Sequence, residues 1–299
     1  WSTPDQTRFI DSLVKQLPIP SMCISLDFKT DERLVIDGLQ RIHSIIQFLT
    51  NDEWKLSKLE EVDKRISGKT VKDIKKKTPE IYSRIENLTI PITILRCDYT
   101  KESHMNYLFT IFHRLNTGGN KLTNQEIRNC IYRGSFNDLL KDIVQNPYAR
   151  GLFNLAENNS YRFAYEELFL RVLTFSLNKK KYKGKLSQYI NDFMYTHINI
   201  RKEEAGAIQT QIIRTVSLIH NRIMNKKALP KLSKSTQEAL LLGVFENIDA
   251  LENHTDKVLK EKFKQLRNDD HFSIESLKEG VAAKDKVNAR HAASRKIFE

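Results

Sequence analysis

Asp37 and Arg41 pair a carboxylate with a guanidinium about one helical turn apart. A carboxylate holds a divalent metal or a water, and a guanidinium grips phosphate oxygens bidentately. Two further groups lie beside them, Gln40 and His43. The surrounding residues must position this set. Leu34-Val35-Ile36 reads as a short buried strand and Asp37-Gly38 as a tight turn. Ile42, Ile45, Ile46 and Leu49 then recur at helical spacing. A strand that turns at glycine straight into a helix leaves unbonded N–H groups at the helix start, where the dipole favours anions. Two bland alternatives stand beside this reading. Asp37 can simply cap the helix, and His43 can be an exposed helix histidine and not a general acid or base.

A second stretch follows downstream, Arg114-Leu115-Asn116-Thr117-Gly118-Gly119. Gly118-Gly119 ends one helix, and Thr123 with Glu126 forms the capping-box pattern that opens the next. The polar loop between them is small enough for its backbone to approach a ligand. On its own it is equally a plain helix–turn–helix corner.

The remaining composition narrows the choices. The chain of 299 residues has a formal net charge of +12, which favours anionic partners. The excess is uneven, roughly +4 over residues 1–134 and roughly +8 over 135–299. Lysine clusters stand at Lys75-Lys76-Lys77, at Lys179, Lys180, Lys181 and Lys183, at Lys226-Lys227, and from Lys284 to Lys296. With few aromatics between them they suit phosphates, not stacked bases, or else an ordinary solvated face. Cys23, Cys97 and Cys130 are too scattered for a zinc site or a disulfide framework and fit reduced, cytoplasmic thiols. No apolar run is long enough to span a membrane. P-loop, G-x-G-x-x-G, G-x-S-x-G and H-E-x-x-H patterns are all missing. His271 follows Asp269-Asp270, but a solvated loop explains it better than a nuclease centre.

Along the chain, Ser2-Thr3-Pro4 starts an amphipathic helix over 5–17, and strands are expected at 22–26, 34–36 and 89–95. A helix over 101–115 should turn Leu108, Ile111, Phe112 and Leu115 inward. Beyond Gly134 only helical periodicity remains, including a segment at 274–280. The expected architecture is α+β, with a first domain over 1–140 and an all-helical domain over 141–299.

Several motifs in fixed order resemble a known family. Trp1, Phe9 to Leu13, Leu17-Pro18-Ile19-Pro20 and Val35-Ile36-Asp37-Gly38-Leu39-Gln40-Arg41 are similar to the N-terminal domain of GmrSD-type restriction proteins. So is the Arg114 to Gly119 loop followed by Gln125-Glu126-Ile127-Arg128-Asn129, and Lys286 to Arg290 looks like the family's closing helix. The family is marked by a D-G-Q-Q-R signature on a ParB/sulfiredoxin-like fold. The resemblance implies an NTP-binding and NTP-hydrolysing domain in defence against foreign or modified DNA. Asp37, Gln40 and Arg41 would be catalytic, with Mg²⁺ on Asp37. Gly38, Arg41, His43, Asn116, Thr117, Gly118, Gln125 and Arg128 would bind the nucleotide. Leu39 departs from the signature, which has glutamine there, and so sets hydrolysis apart from binding. No His-Asn-His pattern closes the chain, so a separate nuclease subunit is the expected cutting partner. The lysines at 179–183 and 226–227 would contact DNA, and the protein can be oligomeric. Two other readings compete: a non-catalytic DNA-binding or assembly module with a decayed pocket, and a ParB-like nuclease.

Overall fold

Residues 1–116, 121–156 and 161–299 are described in the computed structural model of the chain. They form a mixed α+β architecture in two compact units, Trp1–Gly119 and Asn120–Glu299. The division falls before the boundary expected at 140, because helix α6 (Asn124–Ile131) packs on a helix of the second unit, α9 (Ala164–Leu177).

The first unit opens with α1 (Thr3–Val14). Ser2 caps it by accepting the Asp5 N–H, and the Asp5 carboxylate returns the bond to the cap. Strands β1 (Met22–Asp27) and β2 (Arg33–Asp37) pair antiparallel, and β1 pairs parallel with β3 (Ile92–Cys97), in the order β2-β1-β3. Helix α2 (Leu39–Thr50) follows β2 directly, and α3 (Val71–Lys77) and α4 (Pro79–Glu86) precede β3. Ile10, Leu13 and Val14 of α1 join Phe48 of α2 and Ile81 and Ile85 of α4 in one core. Phe48 anchors α2, fully buried and stacked on Tyr82 at 5.8 Å between ring centroids. Of the amphipathic stripe expected on α2, Ile45 and Leu49 pack against this core, but Ile46 does not. Ile46 is 53% exposed, and the buried positions are Ser44 and Phe48.

Helix α5 (Glu102–Leu115) packs on β2 through a face of Met105, Leu108, Phe109 and Phe112. Leu115, expected inward, is exposed, since it lies in the last turn beyond that face.

The second unit is helical throughout its described residues. After α6 come α7 (Ser135–Gln145), α8 (Pro147–Phe153), α9, α10 (Leu186–His197) and α11 (Lys202–Leu218), the last continuing as a π-helical turn, Ile219–Ile223. Then follow α12 (Lys234–Glu246), α13 (Ile248–Leu251), α14 (Asp256–Asn268) and α15 (Lys284–Phe298). Helix α12 is the hub, buried almost all round and packed against α9, α11 and α15. Gly243 lets α15 approach, for a Cβ there would overlap Ser294 and Phe298. The segment 274–280 is a series of turns and not a helix, and Ile274 is 81% exposed because nothing packs on the apolar residue that suggested one.

A charge sits inside this hub. Glu238 of α12 accepts a hydrogen bond from His291 at 2.7 Å and a second from Arg171 of α9. Burial works against the carboxylate, but the His291 hydrogen bond and the Arg171 charge outweigh it and hold its pKa below the ordinary 4.5. A group whose folded-state pKa is depressed stabilises the fold above its unfolded value, and that contribution vanishes as pH falls through the folded value. Glu238→Gln is therefore expected to cost about 3 kcal/mol at neutral pH, as removal of one partner of a buried ion pair does. Thermal melts across pH should show the gap from wild type closing below about pH 4.5. A gap that stays constant down to strongly acid pH would contradict this assignment.

Candidate functional site

The turn between β2 and α2 is built by two local irregularities. The β1–β2 register runs Leu26↔Arg33, Ser25↔Leu34 and Ile24↔Val35, then shifts so that Cys23 opposes Asp37. Ile36 is the extra residue of this bulge. In the unshifted register Asp37 would oppose Met22, with its side chain on the other face of the sheet. The bulge turns the carboxylate to the side of Cys23, whose thiol is pushed up first by burial and then by the Asp37 charge. Next, Gly38 adopts a left-handed conformation (φ 101°) and serves as the N-cap of α2. A Cβ at Gly38 would lie 2.8 Å from Cγ of Met22, so glycine is required by both the backbone and the space.

Asp37 does not cap the helix, and no side chain does. Its Oδ2 accepts from Nη2 of Arg41 at 2.7 Å, while Nη1 of Arg41 donates to the carbonyl of Pro20. The Arg41 side chain is only 11% exposed, whereas that of Asp37 is 41% exposed. The guanidinium is thus held in place and the carboxylate remains open to solvent. An uncapped helix start with a fixed cation in its first turn can receive an anion, and the open carboxylate can meet a cation bound to it.

The structure distributes the other predicted residues unevenly. Gln40 is exposed, and its Oε1 accepts from the Trp1 nitrogen at 3.0 Å. His43 is exposed on α2 with Nδ1 3.3 Å from Nε2 of Gln6, so its ring meets α1 and not Asp37. Asn116 forms the C-cap of α5. Thr117 and Gly118 lie outside the described residues. Gln125 and Arg128 belong to α6 in the second unit and occupy interior positions, not a rim, at 1% exposure each. Arg128 donates to Asn191 (2.8 Å), Ser187 (3.2 Å), Gln125 (3.3 Å) and Glu167 (3.4 Å). That network ties α6 to α9 and α10. Lys179, Lys180, Lys181 and Lys183 are exposed on the loop after α9. Lys226 and Lys227 are exposed on the turn that ends the π-helical segment.

Pro20, Met22 and Gln6 also contribute to the site, and the sequence alone does not mark them as site residues. The Leu17-Pro18-Ile19-Pro20 motif was the available signal for the first, and its role is the Pro20 carbonyl that fixes Arg41. The bulge that re-aims Asp37 leaves no mark in the one-dimensional pattern.

Among the described residues no group of three or more His, Cys, Asp and Glu side chains gathers as a metal site. Asp37 gives Oδ2 to Arg41, which leaves Oδ1 as a single carboxylate ligand. Such a donor set suits Mg²⁺ arriving with phosphates and keeping several waters, the usual manner of that ion.

A small sheet ending in an uncapped helix start, followed by a helical unit, defines the class of architecture. Residues 1–133 match the family model of the GmrSD restriction endonuclease, N-terminal domain, and these residues are an N-terminal domain of that family. No curated protein and no solved structure matches the chain. Among the described residues no helix is long and apolar enough to cross a membrane.

Gly38→Ala tests the construction of the turn. The left-handed backbone should cost about 1–2 kcal/mol for an L-residue, with the Met22 overlap added to it. In a Met22→Ala background the penalty should fall toward the backbone contribution alone, which a double-mutant cycle of denaturant unfolding measures. Equal penalties in both backgrounds would show that Met22 yields freely.

Proposed function

We propose that the chain is an NTP-binding component of a bacterial restriction system directed at foreign or modified DNA. The observation that carries this reading is the uncapped start of α2, reached through left-handed Gly38 and flanked by Asp37 and Arg41. The GmrSD match over residues 1–133 supports the setting in restriction. The β1–β2–α2 arrangement fits a ParB/sulfiredoxin-like fold, whose corresponding turn meets nucleotide phosphates in the related proteins.

On this reading the nucleotide phosphates accept from the first N–H groups of α2 and from the guanidinium of Arg41. Asp37 holds the Mg²⁺ that accompanies them, and Gln40 orients water or a phosphate oxygen. His43 is turned to α1 and takes no part, and Asn116, at the C-cap of α5, is the remaining described candidate to line the pocket. Mg²⁺, when bound, neutralises phosphate charge. The residues themselves bind and orient.

Leu39 favours a second reading of the same site, in which the nucleotide is bound and not turned over. It is 60% exposed at the first position of α2, where the signature has glutamine. A hydrocarbon there can neither position water nor donate to phosphate.

Calorimetric titration of ATP, GTP and CTP with Mg²⁺ tests the pocket. One nucleotide should bind, and Arg41→Ala should weaken it at least tenfold, the scale of a lost charge-assisted contact of about 1.5–3 kcal/mol. Leu39→Gln should raise phosphate release while leaving affinity unchanged. No heat with any of the three nucleotides would overturn the reading.

A further inference from the structure

Two lysine-bearing segments of the second unit, far apart in sequence, lie side by side. The first is the loop 178–185 after α9. The second is the segment 278–286, which leads into α15. Tyr182 joins them. It is 5% exposed, and its hydroxyl donates to the carbonyl of Ala282 at 2.5 Å. Its ring packs edge-on against Phe175 at 5.4 Å and beside Tyr189 at 5.3 Å. Tyr189 in turn donates to the carbonyl of Lys180 at 2.9 Å, so the loop backbone is fixed at two points. Gly184, left-handed at φ 91°, brings the loop so close to α15 that a Cβ there would lie 3.8 Å from Cβ of Lys284. On the other side Arg290 donates to the carbonyl of Val281 at 2.6 Å, and Lys286 to that of Glu279 at 2.7 Å.

The backbones are held, and among the described residues only one of the charged heads, that of Lys286 on the Glu279 carbonyl, is engaged. Lys179, Lys180, Lys181, Lys183, Lys284 and Lys286 are all exposed. Among the described residues none of the six has a carboxylate within ion-pair distance. Some lysines elsewhere are neutralised, as Lys15, Lys29, Lys72 and Lys75 of the first unit and Lys141 of the second are by carboxylates. Loop 178–185 carries five lysines and no carboxylate, and segment 278–286 three lysines with Glu279 and Asp285, so the joined surface is net positive and calls for an anionic partner. We infer that loop 178–185 and segment 278–286 form one composite surface for the phosphate backbone of duplex DNA.

The chemistry favours phosphates over other partners. Lysine is depleted at protein–protein interfaces, whereas phosphate binding uses it as a point charge. The aromatic rings here, Tyr182 and Tyr189, hold the scaffold together and do not stand out as stacking platforms for unpaired bases. Contacts of this kind carry no sequence information, position the duplex, and weaken steeply with salt. The inference rests on the reading of the chain as acting on DNA. It does not depend on the nucleotide pocket.

Fluorescence anisotropy of a labelled duplex of arbitrary sequence with the full chain, from about 50 to about 200 mM salt, tests it. Log affinity should fall with log salt at a slope near −5, about −0.9 for each neutralised phosphate. Changing Lys179, Lys180, Lys181 and Lys183 to Gln should flatten the slope by about 3–4, and Lys284→Gln with Lys286→Gln by about 2. The two sets should add, with melting temperature unchanged for the four loop substitutions and for Lys284→Gln, and with the loss of the Lys286 bond to the Glu279 carbonyl followed separately by the melting temperature of Lys286→Gln. If only one set alters the slope, the surface is not composite; if neither does, DNA binds elsewhere. If wild type binds no duplex, or prefers a single strand of equal length, the assignment to duplex DNA fails. Nucleotide titration of the same variants separates the two readings, since the lysine substitutions should leave it untouched.

Discussion

The left-handed turn at Gly38 is the constraint on which the first unit's chemistry depends. Met22 packs against the Gly38 α-carbon, and the chain passes from β2 to α2 with no side chain between them. A larger residue there would need another backbone conformation, and α2 would then start elsewhere with its N–H groups aimed elsewhere. The bulge at Ile36 adds a second constraint by setting the face on which Asp37 emerges. Arg41 adds a third, clasped between Asp37 and the Pro20 carbonyl. Each feature is a local departure from regular structure, and together they leave a fixed cation and an open carboxylate at one helix start. Departures of this kind concentrate where the backbone is used for binding.

The second unit treats charge in the opposite way. Arg128 and Glu238 are buried and saturated by hydrogen bonds from or to other helices. Their role is to fix which helices meet, since a buried charge tolerates only the arrangement that pairs it. Its exposed lysines stand on backbone held by Tyr182 and Tyr189. Interior charge in this unit is directed at the fold, while its surface carries both ion pairs, as between Arg214 and Asp249 or Glu252, and the exposed lysines of loop 178–185.

The sequence was informative wherever one residue type has one mechanical use. The caps at Ser2 and Thr123 are both present: a hydroxyl before proline marks the first, where Asp5 completes a box the pattern did not announce, and a hydroxyl with a carboxylate three residues on marks the second. Strands β1 and β2 also fall where the pattern places them, whereas β3 begins three residues after the expected start, and the second unit is helical as its periodicity indicates. Tertiary facts were not legible. Arg128 has the look of a ligand-binding arginine in one dimension, and only the approach of Asn191 and Ser187 from α10 makes it structural. Ile46 fits the apolar stripe of α2, yet its side of the helix faces outward because Phe48 fixes the helix rotation. Periodicity cannot distinguish these cases, since it records what a face is made of and not whether another element covers it.

Leu39 shows how one substitution can separate functions that share a turn. As the first residue of α2 it offers the same backbone N–H that glutamine would, and the helix dipole does not depend on the side chain. Anion binding through the backbone therefore survives the exchange. The side-chain amide, which could hold a water or bridge to a phosphate, does not. Arg41 is unaffected, because its acceptors are Asp37 and Pro20 and neither involves position 39. On the proposed reading, what Leu39 removes is confined to the step that needs an oriented water, while the backbone geometry of the turn, set by Gly38 and not by position 39, is kept.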